Sequence, residues 1–170
     1  AKRTTMPAPG RDVAVLMTGP IRTEHKVRLT FHTKVVEPLK ADLFAYWSIL
    51  PEEDELSARR LRLESYAEMG ATAVVLANDW TVEKWREAFR RAAGSTVSLA
   101  YEGVPGGFKS SGNEGACIQQ YFEQRAALRL LWAAERLRGG RQYQWVIYAR
   151  SDMWWQATHP PLRLFSPRPG

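Results

Sequence analysis

Three short segments carry side chains able to bind or neutralise charged groups, and each directly follows an apolar run. Thr18-Gly19-Pro20-Ile21-Arg22 follows Val13-Ala14-Val15-Leu16-Met17. Gly19 lets the backbone come close to a ligand, and Arg22 can pair with a phosphate or a base edge; a plain strand-to-helix turn with a solvated arginine explains the same residues. Asn78-Asp79-Trp80 follows Ala71-Thr72-Ala73-Val74-Val75-Leu76-Ala77. Asp79 can accept a hydrogen bond from a ribose hydroxyl while Trp80 stacks on a ring, or Asn78 and Asp79 merely turn the chain. Arg150-Ser151-Asp152 follows Gln144-Trp145-Val146-Ile147-Tyr148-Ala149. A carboxylate at the end of a buried strand must be hydrated, paired or metal-bound. Asp152 can therefore hold a hard divalent cation that also contacts diphosphate oxygens, with Arg150 neutralising the same oxygens. A buried Arg150–Asp152 pair, or an aspartate that only turns the chain, is the competing reading.

The elements that must position these segments alternate along the chain. The run from Val13 to Met17 suits a strand buried on both faces. Thr23 can cap a helix in which Val27, Phe31 and Val35 share one side and which Pro38 stops. Leu43 to Trp47 is an aromatic strand introduced by Asp42. Arg59 to Met69 reads as a helix capped by Gly70, and Ala71 to Ala77 as the third strand. A helix from Thr81 to Gly94 and a short strand from Val97 to Tyr101 come next. The stretch from Gly103 to Gly115 holds five glycines and is a loop; Lys109 within it suits a lid that closes on phosphate. Ile118 to Leu137 is the strongest helical pattern. Ile118, Phe122, Ala126, Leu130 and Ala134 recur every four residues, with Tyr121, Leu128, Leu131 and Trp132 widening that apolar face. Gly139-Gly140 ends the helix, and Gln144 to Ala149 is the last strand. Residues 1–11 read as a flexible lead-in, 12–158 as one α/β domain and 159–170 as a proline-rich tail. This alternation predicts a three-layer α/β/α domain with a mostly parallel central sheet. Ligands of such sheets bind in the crevice outside the carboxyl ends of the strands, which is where all three segments fall.

Composition narrows the function classes. The chain has 170 residues, 45% of them apolar and 25% charged, which is ordinary for a globular domain. Twenty-four Lys and Arg against eighteen Asp and Glu leave a net charge of +6, which favours a phosphate-bearing or polyanionic partner. Cys117 is the only cysteine, so an intrachain disulfide and a Cys-based zinc site are excluded. No run approaches the length of a membrane span, and no apolar signal region opens the chain. The chain starts at Ala1 rather than Met and ends in a proline-rich run, which reads as a processed chain or a fragment. The spacing of a P-loop is absent from the glycine-rich stretch. No G-x-G-x-x-G follows the first strand, against a standard dinucleotide fold. His25, His32 and His159 make no metal pattern, and Ser151-Asp152 lacks a partnered histidine for hydrolase chemistry. Arg59, Arg60, Arg62, Arg90, Arg91, Arg136, Arg138 and Arg141 are scattered over helix ends, with no aromatic-interleaved stripe, so a nucleic-acid surface is not expected.

Taken together, the segment from Val13 to Arg22, Ala41-Asp42-Leu43-Phe44, the helix from Gln119 to Leu137, and above all the segment from Gln144 to Met153 resemble a GT-A-type glycosyltransferase domain of a poorly characterised kind. The resemblance spans most of residues 12–155. It implies a GT-A or Rossmann-like sheet that binds a nucleotide-sugar donor and transfers the sugar to an acceptor it does not identify. It assigns Gly19, Arg22, Asp79 and Arg150 to the donor and makes Asp152 the remaining carboxylate of a degenerate D-x-D motif holding Mn²⁺ or Mg²⁺. Arg150 stands where the first aspartate of that motif would be. Only eighteen residues follow Asp152, and among them His159 is the one candidate base. The chain thus reads as the donor-binding half of a longer enzyme or as a degenerate homologue. The alternatives are a non-catalytic α/β binding domain, or a basic domain that docks on RNA or acidic proteins. The resemblance implies the Golgi or secretory lumen if an anchor lies outside the fragment, and otherwise the cytoplasm.

Overall fold

The computed structural model describes residues 2–4, 11–20, 24–49, 63–78, 87, 90–91, 116–151 and 153–165. Arg22, Asp79 and Asp152 lie outside the described residues, as do the expected strand from Val97 to Tyr101, the glycine-rich loop and most of the helix after Thr81.

Five strands form one sheet: β1 (Lys2–Thr4), β2 (Val13–Pro20), β3 (Asp42–Ile49), β4 (Ala73–Asn78) and β5 (Trp145–Arg150), in the order β1-β4-β3-β2-β5. The four strands from β4 to β5 are all parallel. β1 joins the outside of β4 in antiparallel sense, Arg3 opposite Val74. The chain is an α/β fold. Within the residues read as a lead-in, Lys2–Thr4 pairs with the outer edge of β4.

Helices connect the strands. α1 (Glu24–Phe31) continues directly into a π-helical turn, His32–Val36. The Thr30 and Thr33 hydroxyls donate back to the carbonyls of Val27 and Leu29, at 2.8 and 3.0 Å, a contact that loosens the main-chain ladder. Glu37 N–H then donates to the His32 carbonyl, five residues back. Pro38, which has no N–H, closes the segment as its position predicts. α2 is described over 63–68, and Gly70 at φ +70° ends it, in the left-handed conformation a C-terminal cap requires. α3 (Ala116–Leu137) packs on β2 and β3.

Strand residues alternate between two buried clusters. Val13, Val15, Met17, Leu43, Ala45, Trp47, Val74 and Leu76 join Phe31 and Val35 of the α1 segment and Tyr66 of α2. Ala14, Leu16, Phe44 and Ala73 join Ala127, Leu131 and Ala134 of α3. The period of two sends these sets to opposite faces of the sheet. The central strands β2 and β3 are therefore buried from both sides, as their unbroken apolar runs require.

The side of α3 that faces the sheet matches the expected one in part: Leu131 and Ala134 are buried, and Leu128 and Leu130 pack beside them. Its buried line is Glu123, Ala127, Leu131 and Ala134, whereas Tyr121 and Trp132, read as part of the apolar face, are 68% and 49% exposed. A strict four-residue repeat drifts around the helix by about 40° per step, so the line that stays on the sheet mixes steps of four and three.

Candidate carboxyl-edge site and amino-edge lock

The chain runs β2, β3, β4 outward in one direction and then returns to the other flank of β2 with β5. The strand order reverses between β2 and β5, which is the topological switch point where open parallel sheets bind ligands. Gly19 and Arg150 meet there. Thr18 stands opposite Arg150 in the β2–β5 register, and Gly19 opposite Trp47 on the other side. The strands that lead to Arg22 and Asp152 are thus nearest neighbours. Asn78, the last residue of β4, ends at the same edge, opposite Ile49, but β4 lies three strand spacings from β5, about 14 Å.

The carboxyl ends of β2 and β5 are joined by short-range contacts. Ser151 N–H donates to the Thr18 carbonyl at 3.0 Å, extending the β2–β5 pairing by one step. The Thr18 and Tyr148 hydroxyls are hydrogen-bonded at 2.8 Å. Thr18 and Ser151 are fully buried, while Tyr148 and Arg150 are exposed. Gly19 has φ +130°, and a Cβ on it would stand 2.6 Å from Ser151 Oγ. The close approach that Gly19 permits is therefore, in this fold, an approach of the chain to its own serine.

Glu123, a carboxylate that residue patterning passed over, is 1% exposed on the sheet side of α3. Burial, and after it the negative charge of Glu123, push the Tyr46 hydroxyl above its ordinary range, with Arg129 acting the other way. The signal for Glu123 was present as a glutamate in line with Ala127 and Leu131, but hydropathy assigns such a residue to solvent. His159 is placed away from the carboxyl edge. Its N–H donates to the Lys34 carbonyl at 2.7 Å, and its ring lies beside Trp155 and Phe165. That position at the end of the α1 segment removes it as a base for chemistry at the switch point.

A cavity of about 630 Å³ opens at the opposite, amino edge, lined by Arg11, Asp12, His32, Glu37, Lys40 and Met69 among others. Two of its charged residues, Arg11 and Asp12, are already paired. Asp42, 1% exposed, accepts from Thr72 Oγ1 at 3.1 Å, Arg11 Nη1 at 3.5 Å and the Tyr143 hydroxyl at 2.7 Å. Asp12 pairs with Arg141, and the Arg138 guanidinium lies 4.1 Å from the centre of the Tyr143 ring. Burial first, and the bond to Asp42 second, hold the Tyr143 hydroxyl far above its usual range. These contacts tie the end of α3 to the starts of β2 and β3.

Among the described residues no group of three His, Cys, Asp or Glu side chains is arranged to hold a metal, and no helix is long and apolar enough to cross a membrane. No family model, curated protein or solved structure matches the chain.

Proposed function

We propose that this domain binds a nucleoside diphosphate sugar over the carboxyl ends of β2 and β5 and transfers the sugar to an acceptor, in the manner of the GT-A glycosyltransferases its sequence resembles. The observation that supports the reading most is the reversal of strand order between β2 and β5, with Gly19 and the exposed Arg150 side by side at its mouth. On this reading Arg22 and Arg150 neutralise the diphosphate and Asp79 accepts from the ribose. Asp152 contributes one carboxylate to Mn²⁺ or Mg²⁺, which suits a cation shared with the diphosphate better than a closed protein site. When bound, the cation supplies Lewis-acid stabilisation of the departing nucleoside diphosphate. The protein's part is to orient the donor so that its anomeric carbon–oxygen bond breaks as the acceptor oxygen attaches.

Calorimetric titration with nucleoside diphosphates, with and without Mn²⁺, tests the reading. The expected result is an affinity raised about tenfold by Mn²⁺, worth roughly 1.4 kcal/mol, with that increment lost in Asp152→Ala and affinity weakened under both conditions in Arg150→Ala. Binding that ignores Mn²⁺ and Asp152 would contradict the metal assignment. Metal-dependent binding without transfer to any acceptor would leave a non-catalytic binding domain.

A further inference from the structure

The solvent side of α3 carries a pattern that the linear sequence conceals. Tyr121, Arg125, Arg129, Trp132 and Arg136 fall within an arc of about 80° at 3.6 residues per turn, directly opposite the buried line from Glu123 to Ala134. All five are exposed. Three other exposed or half-exposed arginines have carboxylate partners: Arg91 has Glu87, Arg141 has Asp12 and Arg11 has Asp42. Among the described residues, Arg125, Arg129 and Arg136 make no ion pair, and no carboxylate falls within their arc. The stripe is about 22 Å long. On the same side of the sheet, β5 leaves Tyr148 and Arg150 exposed, because α3 packs on β2 and β3.

Two large exposed aromatic rings, alternating with three guanidinium groups that no described carboxylate pairs with, suit a partner with flat rings and regularly spaced negative charge. We infer that the outer face of α3 docks single-stranded nucleic acid, with bases stacked on Tyr121 and Trp132 and phosphates held by Arg125, Arg129 and Arg136. Such surfaces combine a basic track with aromatic platforms and tolerate any base, since every base has a stackable face. The net charge of +6 adds long-range attraction for the same partner. The scattered arginines in the sequence gave no reason to expect this surface. It arises because Tyr121 and Trp132 turn away from the core, and it does not involve the residues assigned to the sugar donor.

Fluorescence anisotropy with a labelled single-stranded RNA of about ten nucleotides, within the usual site size, tests the inference on the whole chain. Affinity should fall with added salt, with a log–log slope that decreases by about 2 in the triple variant Arg125→Ala, Arg129→Ala, Arg136→Ala. Tyr121→Ala with Trp132→Ala should weaken binding by about tenfold or more at constant charge. The matching duplex, whose bases are already stacked, should bind less well than the single strand. These exposed substitutions should leave the circular dichroism melt unchanged, and Asp152→Ala should leave RNA affinity unchanged, which separates this site from the donor site. Absence of RNA binding at low salt overturns the inference. So does equal binding of a sulfated polysaccharide or polyaspartate with no loss in the aromatic variant, since that describes bare charge attraction.

Discussion

At Gly19 the backbone holds φ +130°, and Ser151 Oγ occupies the place of a side chain. Gly19→Ala therefore combines a backbone conformation open to glycine with a contact against a buried hydroxyl, and should cost about 1–3 kcal/mol. Adding Ser151→Gly should recover the contact but not the backbone strain, so denaturant midpoints should order as wild type, double variant, Gly19→Ala. Asp42 depends equally on its partners. Tyr143→Phe removes the donor at 2.7 Å from Asp42 Oδ2 and should cost about 1–3 kcal/mol. The raised Tyr143 and Tyr46 hydroxyls also set an alkaline limit. Above the ordinary tyrosine range, near pH 10, the unfolded chain gives up these protons while the folded one keeps them. Stability should be fully present below that range and fall as pH rises beyond it. Tyr143→Phe should make the fall shallower, as read by urea unfolding across the alkaline range.

The strands are the elements the sequence displays most openly. The four apolar runs became four parallel strands with ends shifted by one to three residues, because continuous Val, Leu, Ile, Ala and aromatic runs fit a sheet buried on both faces. β1 was illegible: Lys2, Arg3 and Thr4 have no apolar signature and take their conformation from the distant edge of β4. α3 was legible as a helix, and its orientation only in part. Apolar residues cover more than half of its circumference, so periodicity shows that it packs without showing which side. The described segment 153–165 behaves as a strap. Trp155 meets Phe31 edge-on at 5.8 Å, Leu162 packs against the same cluster, and His159 bonds to Lys34. Trp155→Ala should cost about 2–3 kcal/mol, at or below the low end for a core tryptophan because the ring is only partly buried. Hydrogen exchange at the His159 amide should quicken selectively if the strap detaches first.

At the scale of the molecule, the two edges of the sheet divide the labour. The amino edge is crossed by Asp42, Tyr143, Arg138 and Asp12, which bind strands and α3 into one unit. The carboxyl edge keeps Arg150 exposed beside Gly19. That β2, β4 and β5 end at one edge was legible in the sequence, since successive parallel strands share their carboxyl edge. The order itself was not legible, because no local pattern says on which flank of β2 the last strand will settle. Manganese offers the most direct test of the division, because its unpaired electrons broaden the amide signals of nearby residues. With a nucleoside diphosphate present, the proposal predicts that Mn²⁺ broadens Gly19, Ala149 and Ser151 and spares Lys40, Gly70 and Arg141, with the effect lost in Asp152→Ala. Broadening centred on Lys40 and Gly70, with Gly19 and Ser151 sharp, would place the ligand at the amino edge and contradict the proposed function.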